Sequence, residues 1–227
     1  MSESGLQVLV LAGGQASRFG SPKQIASVNG VPLLRLMLGR ALALAGAQVT
    51  VVLGAHASSV VPAIGRLGVN VVVNRNWEEG LSASIRAGVA SVPGSIGGAL
   101  LMLADQVGVT DSDLQRLADT WRRNPQAIVA AQYGGGYGVP ALFPRAQFAR
   151  LAALRGEQGA RQLLRGGGLH ICGVPMPGAA QDIDTPEDLV SYLATVSSEA
   201  RQRESGETWA GRGFELPEGE SPLRLEP

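Results

Sequence analysis

Leu9-Val10-Leu11-Ala12-Gly13-Gly14-Gln15-Ala16-Ser17-Arg18-Phe19-Gly20-Ser21-Pro22-Lys23 runs an apolar strand straight into a glycine-rich loop that carries an arginine and then a lysine. The strand, Gln7 to Leu11, is long enough to be a buried sheet strand. Gly13 and Gly14 permit a tight turn and let backbone N–H groups come close to an anion. Arg18 and Lys23 add side-chain charge to the same loop. A polyphosphate suits this combination, so the chain is expected to handle a nucleotide. A polar turn with two solvated cations is the plainer alternative.

The loop matches neither common phosphate loop. A Walker A sequence needs Gly-Lys-Ser/Thr in series, and here Ser21-Pro22 separates Gly20 from Lys23. Gly13-Gly14 with Gly20 does not make G-x-G-x-x-G either.

With 227 residues, the chain has room for one α/β domain and a substantial core. Its formal net charge is zero, so there is no basic footprint for nucleic acid and any anion must be met by local charge. Glycine contributes 31 residues, about twice the ordinary share, much of it in loops after strands. A lone cysteine, Cys172, excludes an intramolecular disulfide framework and fits a reducing cytoplasm; its setting reads as a buried strand. No signal peptide is visible, and no apolar stretch is long enough to span a membrane.

Strands and helices alternate along the chain. Helices are expected over Leu33–Leu44, Ala57–Arg66, Ser82–Ala90, Asp113–Arg122 (capped by Asp111), Ala146–Leu154, Gly159–Leu164 and from Thr185 to about Leu193. Strands are expected over Gln48–Leu53, Val69–Val73, Ala99–Leu103, Ala127–Gln132, Ala141–Phe143 and His170–Val174. This order predicts a doubly wound, mostly parallel α/β sheet of Rossmann-like type, with an antiparallel strand near Tyr133–Val139. From Ser197 apolar periodicity stops. Residues 1–196 are therefore read as the domain, and 197–227 as a disordered or loosely docked tail.

Two further segments carry chemistry. Leu100-Leu101-Met102-Leu103-Ala104-Asp105 puts a carboxylate at the end of a buried strand, where ligands of open α/β sheets bind. A nucleotide's Mg²⁺ takes only one or two protein carboxylates, a role open to Asp105. In Asp182-Ile183-Asp184-Thr185-Pro186-Glu187-Asp188, alternation points Asp182 and Asp184 to the same side. One of them can complete the metal site. Asp182 is ranked first, because Asp184 or Thr185 is also a helix cap. His56 is either a nucleotide contact or a structural loop residue, and His170 reads as packing within a strand.

These segments together resemble a known family. Gly13-Gly14, Arg18, Gly20 and Lys23 fit the G-G-x-x-x-R-x-G-x-x-K signature of sugar-nucleotide-type nucleotidyltransferases. Four more stretches look like the MobA/MocA-like branch, and within it the molybdenum cofactor cytidylyltransferases. They are Asn74-Arg75-Asn76-Trp77-Glu78-Glu79-Gly80-Leu81-Ser82-Ala83-Ser84, Gly138-Val139-Pro140-Ala141-Leu142-Phe143, Gly156-Glu157-Gln158-Gly159-Ala160-Arg161 and Asp182-Ile183-Asp184-Thr185-Pro186-Glu187-Asp188. The resemblance spans about residues 7 to 195.

The resemblance implies transfer of CMP from CTP to molybdenum-bearing molybdopterin, with release of pyrophosphate and passage of the product to a molybdoenzyme. It implies that the backbone of Leu11, Ala12, Gly13 and Gly14 holds the nucleotide. Arg18 would face the β- and γ-phosphates and Lys23 the α-phosphate. Asp105, with Asp182 or Asp184, would hold Mg²⁺, and Gly80, Ser82 and Ser84 would lie near the base or ribose. Four positions depart from the pattern. Val107 replaces a common Pro, Val139 a common His and Glu157 a common Asp, while Leu11-Ala12-Gly13-Gly14 is nearer to the guanylyltransferase branch. GTP, or another phosphorylated acceptor, is thus the alternative within the same chemistry. A non-catalytic nucleotide or cofactor carrier is the alternative outside it.

Overall fold

A computed structural model describes residues 5–157, 159–166 and 168–207. β1 (Gly5–Ala12) extends the expected apolar run slightly at both ends. Asn29 and Gly30, both at positive φ, then close a small hairpin between β2 (Ser27–Val28) and β3 (Val31–Pro32). Positive φ at both central residues is what an Asn-Gly hairpin turn requires. There follow α1 (Leu33–Ala45), β4 (Val49–Leu53), α2 (Ala57–Ile64), β5 (Asn70–Val73), α3 (Leu81–Ala90) and β6 (Ile96–Leu103). The second half comprises α4 (Asp111–Arg123), β7 (Ile128–Tyr133), β8 (Gly136–Pro144), α5 (Phe148–Ala152), α6 (Arg161–Arg165), β9 (Ile171–Pro175) and α7 (Pro186–Glu207).

Seven strands form one sheet in the order β5-β4-β1-β6-β8-β7-β9. β1 lies parallel to both β4 and β6, pairing Leu11 with Val52 on one side and with Leu103 on the other. β8 is antiparallel to β6 and to β7, which confirms the expected antiparallel insertion and lengthens it well beyond Ala141–Phe143. Strand order reverses direction around β1, and the crevice at such a switch point is where open α/β sheets bind ligands.

The two faces of the sheet carry two cores, sorted by strand alternation. Val8, Val10, Val51 and Met102 face Leu34, Met37 and Leu38 of α1 and Leu114, Leu117 and Trp121 of α4. Leu9, Leu11, Val52 and Leu101 face Ile85 of α3, Phe148 and Leu151 of α5 and Leu164 of α6. Leu100, Leu101 and Met102 are all 0% exposed. Side chains buried this completely each contribute about 1.5–3 kcal/mol, which fixes the strand that ends at Asp105.

Several expectations are corrected. Thr110 caps α4, not Asp111: its hydroxyl accepts from the Asp113 N–H while Asp113 accepts from the Thr110 N–H, so the Thr-x-x-Asp spacing decides the start. Cys172 is half-buried, and His170 is exposed just ahead of β9 rather than packed within it. α7 continues past Leu193 to Glu207, so residues 197–207 of the expected tail are helical. The rest of that tail, 208–227, lies outside the described residues. The chain divides into two compact units after Val190, and the sheet and its crevice belong wholly to the first.

Candidate active site

A cleft of about 780 Å³ opens at the C-terminal ends of β1 and β6. That volume lies within the ~300–1,000 Å³ range of small-molecule sites. Its floor is the end of β1 and the loop after it, from Leu11 through Gly14 to Arg18, and Lys23, Asp105 and Asp184 stand together on its wall.

Close backbone crossings shape the loop. A Cβ on Gly13 would stand 2.7 Å from Ser84 Oγ, and one on Gly54 would run into the Gly13 carbonyl and Trp77. Gly54 therefore needs glycine because the backbone of Gly13 crosses it, and Gly13 because the Ser84 side chain packs against it. Ser84 Oγ in turn accepts from Asn74 Nδ2 at 3.2 Å, which ties α3 to the segment after β5. Gly80 and Ser84 line the cleft beside Trp77 and Glu157. Ser82 does not line it: it is 0% exposed, and its hydroxyl has no partner among the described residues.

Lys23 is the centre of charge. Its Nζ donates to Asp105 Oδ2 at 2.6 Å, to the Ile183 carbonyl at 2.9 Å and to Asp184 Oδ1 at 2.9 Å. Burial alone would lower the Lys23 ammonium, but Asp105 and Asp184 outweigh it and hold it above its ordinary value, so it stays charged. Arg18, largely exposed, reaches Asp184 Oδ2 at 2.9 Å.

Two backbone devices bring Asp184 to this point. The Ile183 N–H donates to the Asp105 carbonyl at 3.0 Å and pins the segment to the end of β6. Thr185 and Asp188 then form a reciprocal cap at the start of α7, and Asp188 Oδ2 also accepts from the Asp184 N–H at 3.0 Å. These two N–H donors hold the Asp188 carboxyl below its ordinary value. The cap that orders the helix thereby orients Asp184.

Asp182 takes a different place. It keeps solvent contact and does not line the cleft, whereas Asp184 does, which reverses the expected ranking. Partial burial, then the Asp105 and Asp184 carboxylates, push the Asp182 carboxyl up to about 6. Among the described residues, no group of three or more His, Cys, Asp or Glu side chains is arranged to hold a metal.

A divalent ion fits the remaining pair. Asp105 Oδ1 is buried without a hydrogen-bond partner, and Asp184 stands across Lys23 from it. One or two carboxylates are the usual protein share of a nucleotide-bound Mg²⁺.

Leu11, Ala12, Gly13, Gly14, Arg18, Lys23, Gly80, Ser84, Asp105 and Asp184 thus meet in one cleft, while Ser82 and Asp182 stand outside it. Gln24, Trp77 and Glu157 also line it, although sequence reasoning gave none of them a role. Gln24 directly follows the signature lysine, which was the one signal available. Val107, where a Pro was expected, donates its N–H to the Asp105 carbonyl at 2.9 Å, a bond that proline cannot make. His56 does not line the cleft, and its Nε2–H donates to the Gln15 carbonyl at 2.8 Å.

Comparison with known proteins agrees with this architecture. Residues 8–171 match the family model of the MobA-like NTP transferase domain. The chain is 32% identical over 185 residues to a molybdenum cofactor guanylyltransferase of Rhodobacter capsulatus, covering 80% of this chain and 91% of that protein. The crystal structure of Rv0371c from Mycobacterium tuberculosis superposes with a TM-score of 0.72 at 32% identity, covering 84% of this chain and 98% of the other. A structure of Rv0371c in complex with manganese gives 0.71 at 29% identity, over the same shares.

Proposed function

The chain belongs to the MobA-like NTP transferase family, and on that premise we propose that it transfers the nucleotidyl group of CTP to the terminal phosphate of a molybdopterin-type acceptor. The observation that carries this reading is Lys23 held between Asp105 and Asp184 beside the Gly13–Arg18 loop. A phosphate oxygen of the acceptor attacks the α-phosphorus. The bond from that phosphorus to the bridging oxygen breaks, and pyrophosphate leaves with the electron pair. No proton needs to be removed, since the attacking phosphate is already anionic. Alignment and charge neutralisation are therefore the main requirements.

Each residue meets part of that need. Backbone N–H groups of the loop meet the phosphates. Lys23, protonated and shielded, neutralises charge that grows on the α-phosphoryl oxygens. Arg18, on a long exposed stem, turns from Asp184 to the β- and γ-phosphates. Asp105 and Asp184 would hold the divalent ion, Mg²⁺ in the cell. Bound there, it would neutralise the triphosphate. The manganese complex of a relative supports a divalent requirement.

One second reading has an observation in its favour. Leu11-Ala12-Gly13-Gly14 and the match to a guanylyltransferase both favour GTP as donor. Within either reading the product passes to a molybdoenzyme. Among the described residues no helix is long and apolar enough to cross a membrane. With its single unpaired Cys172, the chain suits the reducing cytoplasm.

The test is pyrophosphate release with each NTP, Mg²⁺ and the molybdopterin acceptor. Release with CTP alone supports cytidylyl transfer, and release with GTP alone overturns it in favour of guanylyl transfer. Nucleotide binding without release, on any acceptor, identifies a carrier instead.

A further inference from the structure

Six consecutive carbonyls, from the end of β1 into the loop that follows it, are tied from the protein side. The Leu11 carbonyl accepts from the Ala104 N–H at 3.1 Å, that of Gly13 from the Ala55 N–H at 3.3 Å, and that of Ala16 from the Phe19 N–H at 2.9 Å. The other three are held by side chains. Gln24 Nε2 donates to the Ala12 carbonyl at 2.9 Å and to the Gly14 carbonyl at 3.2 Å. His56 Nε2 donates to the Gln15 carbonyl at 2.8 Å.

A planar trans peptide points its C=O and the next N–H in opposite directions. Holding the Ala12 and Gly14 carbonyls toward Gln24 turns the N–H groups of Gly13 and Gln15 away from it. Holding the Gln15 carbonyl toward His56 does the same for the Ala16 N–H. Left untied, a glycine-flanked peptide such as Gly13-Gly14 rotates easily and presents its carbonyl dipole, which repels an anion. Ala16 sits at φ 54, a left-handed conformation that persists in a non-glycine residue only where surrounding contacts over-determine it.

Gln24 itself gives the second observation. Its side chain is 3% exposed, yet Oε1 is buried without a partner among the described residues. A methionine or leucine of similar size would leave no such orphan, and an unpaired buried polar atom is a net loss to stability. Packing therefore does not account for an amide here. Two donors aimed at two loop carbonyls do.

We infer that Gln24 is a positioning residue that sets the phosphate-binding orientation of the loop N–H groups, with His56 as its counterpart for the Gln15–Ala16 peptide. This rests on the nucleotidyltransferase reading and assigns the work of preorganising the triphosphate grip. Neither side chain is required to touch the nucleotide.

Gln24→Met removes both donors at nearly constant volume, and His56→Ala frees the Gln15 carbonyl at a half-buried position. The measurements are binding of a CTP analogue with a methylene bridge between the α- and β-phosphorus, KM and kcat for pyrophosphate release, and the thermal midpoint. Gln24→Met is expected to raise KM and the analogue Kd by about tenfold or more, since two carbonyls lose their ties. A smaller fall in kcat is expected. His56→Ala is expected to raise KM several-fold with the midpoint nearly unchanged. Folded variants that lose thermal stability but keep the wild-type Kd and KM overturn the inference alone, because the residues are then merely structural. If Gln24→Met does not fold, a wild-type KM in His56→Ala has the same force. Wild-type protein that binds no NTP or analogue overturns the function itself and this inference with it.

Discussion

Lys23 Nζ lies 2.6 Å from Asp105 Oδ2, and the same ammonium meets Asp184 Oδ1 at 2.9 Å. A cation thus already stands between the two carboxylates best placed to hold a divalent ion. Removing it should free both oxygens. Lys23→Met is expected to bind Mn²⁺ on the order of tenfold more tightly than wild type without nucleotide, since a competing unit charge at this range is worth more than one factor of ten at partly buried sites. Its turnover should nevertheless collapse. Titration calorimetry of the nucleotide-free proteins checks the affinity, and weaker Mn²⁺ binding by the variant would refute the competition.

The cap of α7 should report on the metal site. Asp188 accepts from the backbone N–H groups of Thr185 and Asp184. Asp188→Ala removes both bonds without touching the cleft. The metal concentration for half-maximal turnover should rise several-fold, while saturating metal restores most of the rate. An unchanged metal dependence would show that Asp184 is oriented without the cap.

Gly13 and Ser84 form a compensating pair. Gly13→Ala should cost nucleotide affinity at least tenfold, because its Cβ would meet Ser84 Oγ at 2.7 Å and the next nearest of its neighbours is at 3.6 Å. Adding Ser84→Ala removes the colliding atom and should recover part of the loss. A double variant no better than Gly13→Ala would mean that the methyl group itself blocks the ligand.

Asp182 sets a pH dependence of stability. Its folded-state value is raised from 3.8 to about 6, so the folded protein holds this proton more tightly than the unfolded chain. Its contribution is fully present below about 3.8 and is lost as pH rises through about 6. In buffer containing a chelator, Asp182→Asn should raise the thermal midpoint relative to wild type at pH 7. That advantage should shrink toward pH 4. Solvent contact keeps the effect small, and an advantage that is constant with pH would contradict the assignment.

The strand ends were legible in the sequence because apolar runs define them. β1 and β6 stop where Ala12 and Leu103 give way to the loop and to the segment of Asp105, so the loop, Lys23 and Asp105 could be placed together in advance. The order of Asp182 and Asp184 could not. Alternation puts both on one side, and only the Ile183–Asp105 backbone bond and the Thr185–Asp188 cap decide which one faces Lys23. The full length of β8 is not legible because Gly136 and Gly138 interrupt Tyr137 and Val139 in its first half, which pairing with β7 recruits into the strand. Residues 197–207 lack apolar periodicity but are rich in Glu and Arg, which favour helix without it. Gln24 and His56 were invisible as loop ties, since tying a carbonyl leaves no pattern along the chain.

Labelled CTP tests the chemistry most directly. With ³²P at the α-position, Mg²⁺ and the molybdopterin acceptor, nucleotidyl transfer predicts that the label enters the acceptor dinucleotide while unlabelled pyrophosphate appears in equal amount, and that Asp105→Ala abolishes both. Label recovered as CDP, with free phosphate as the other product, would place the broken bond at the γ-phosphorus and contradict nucleotidyl transfer.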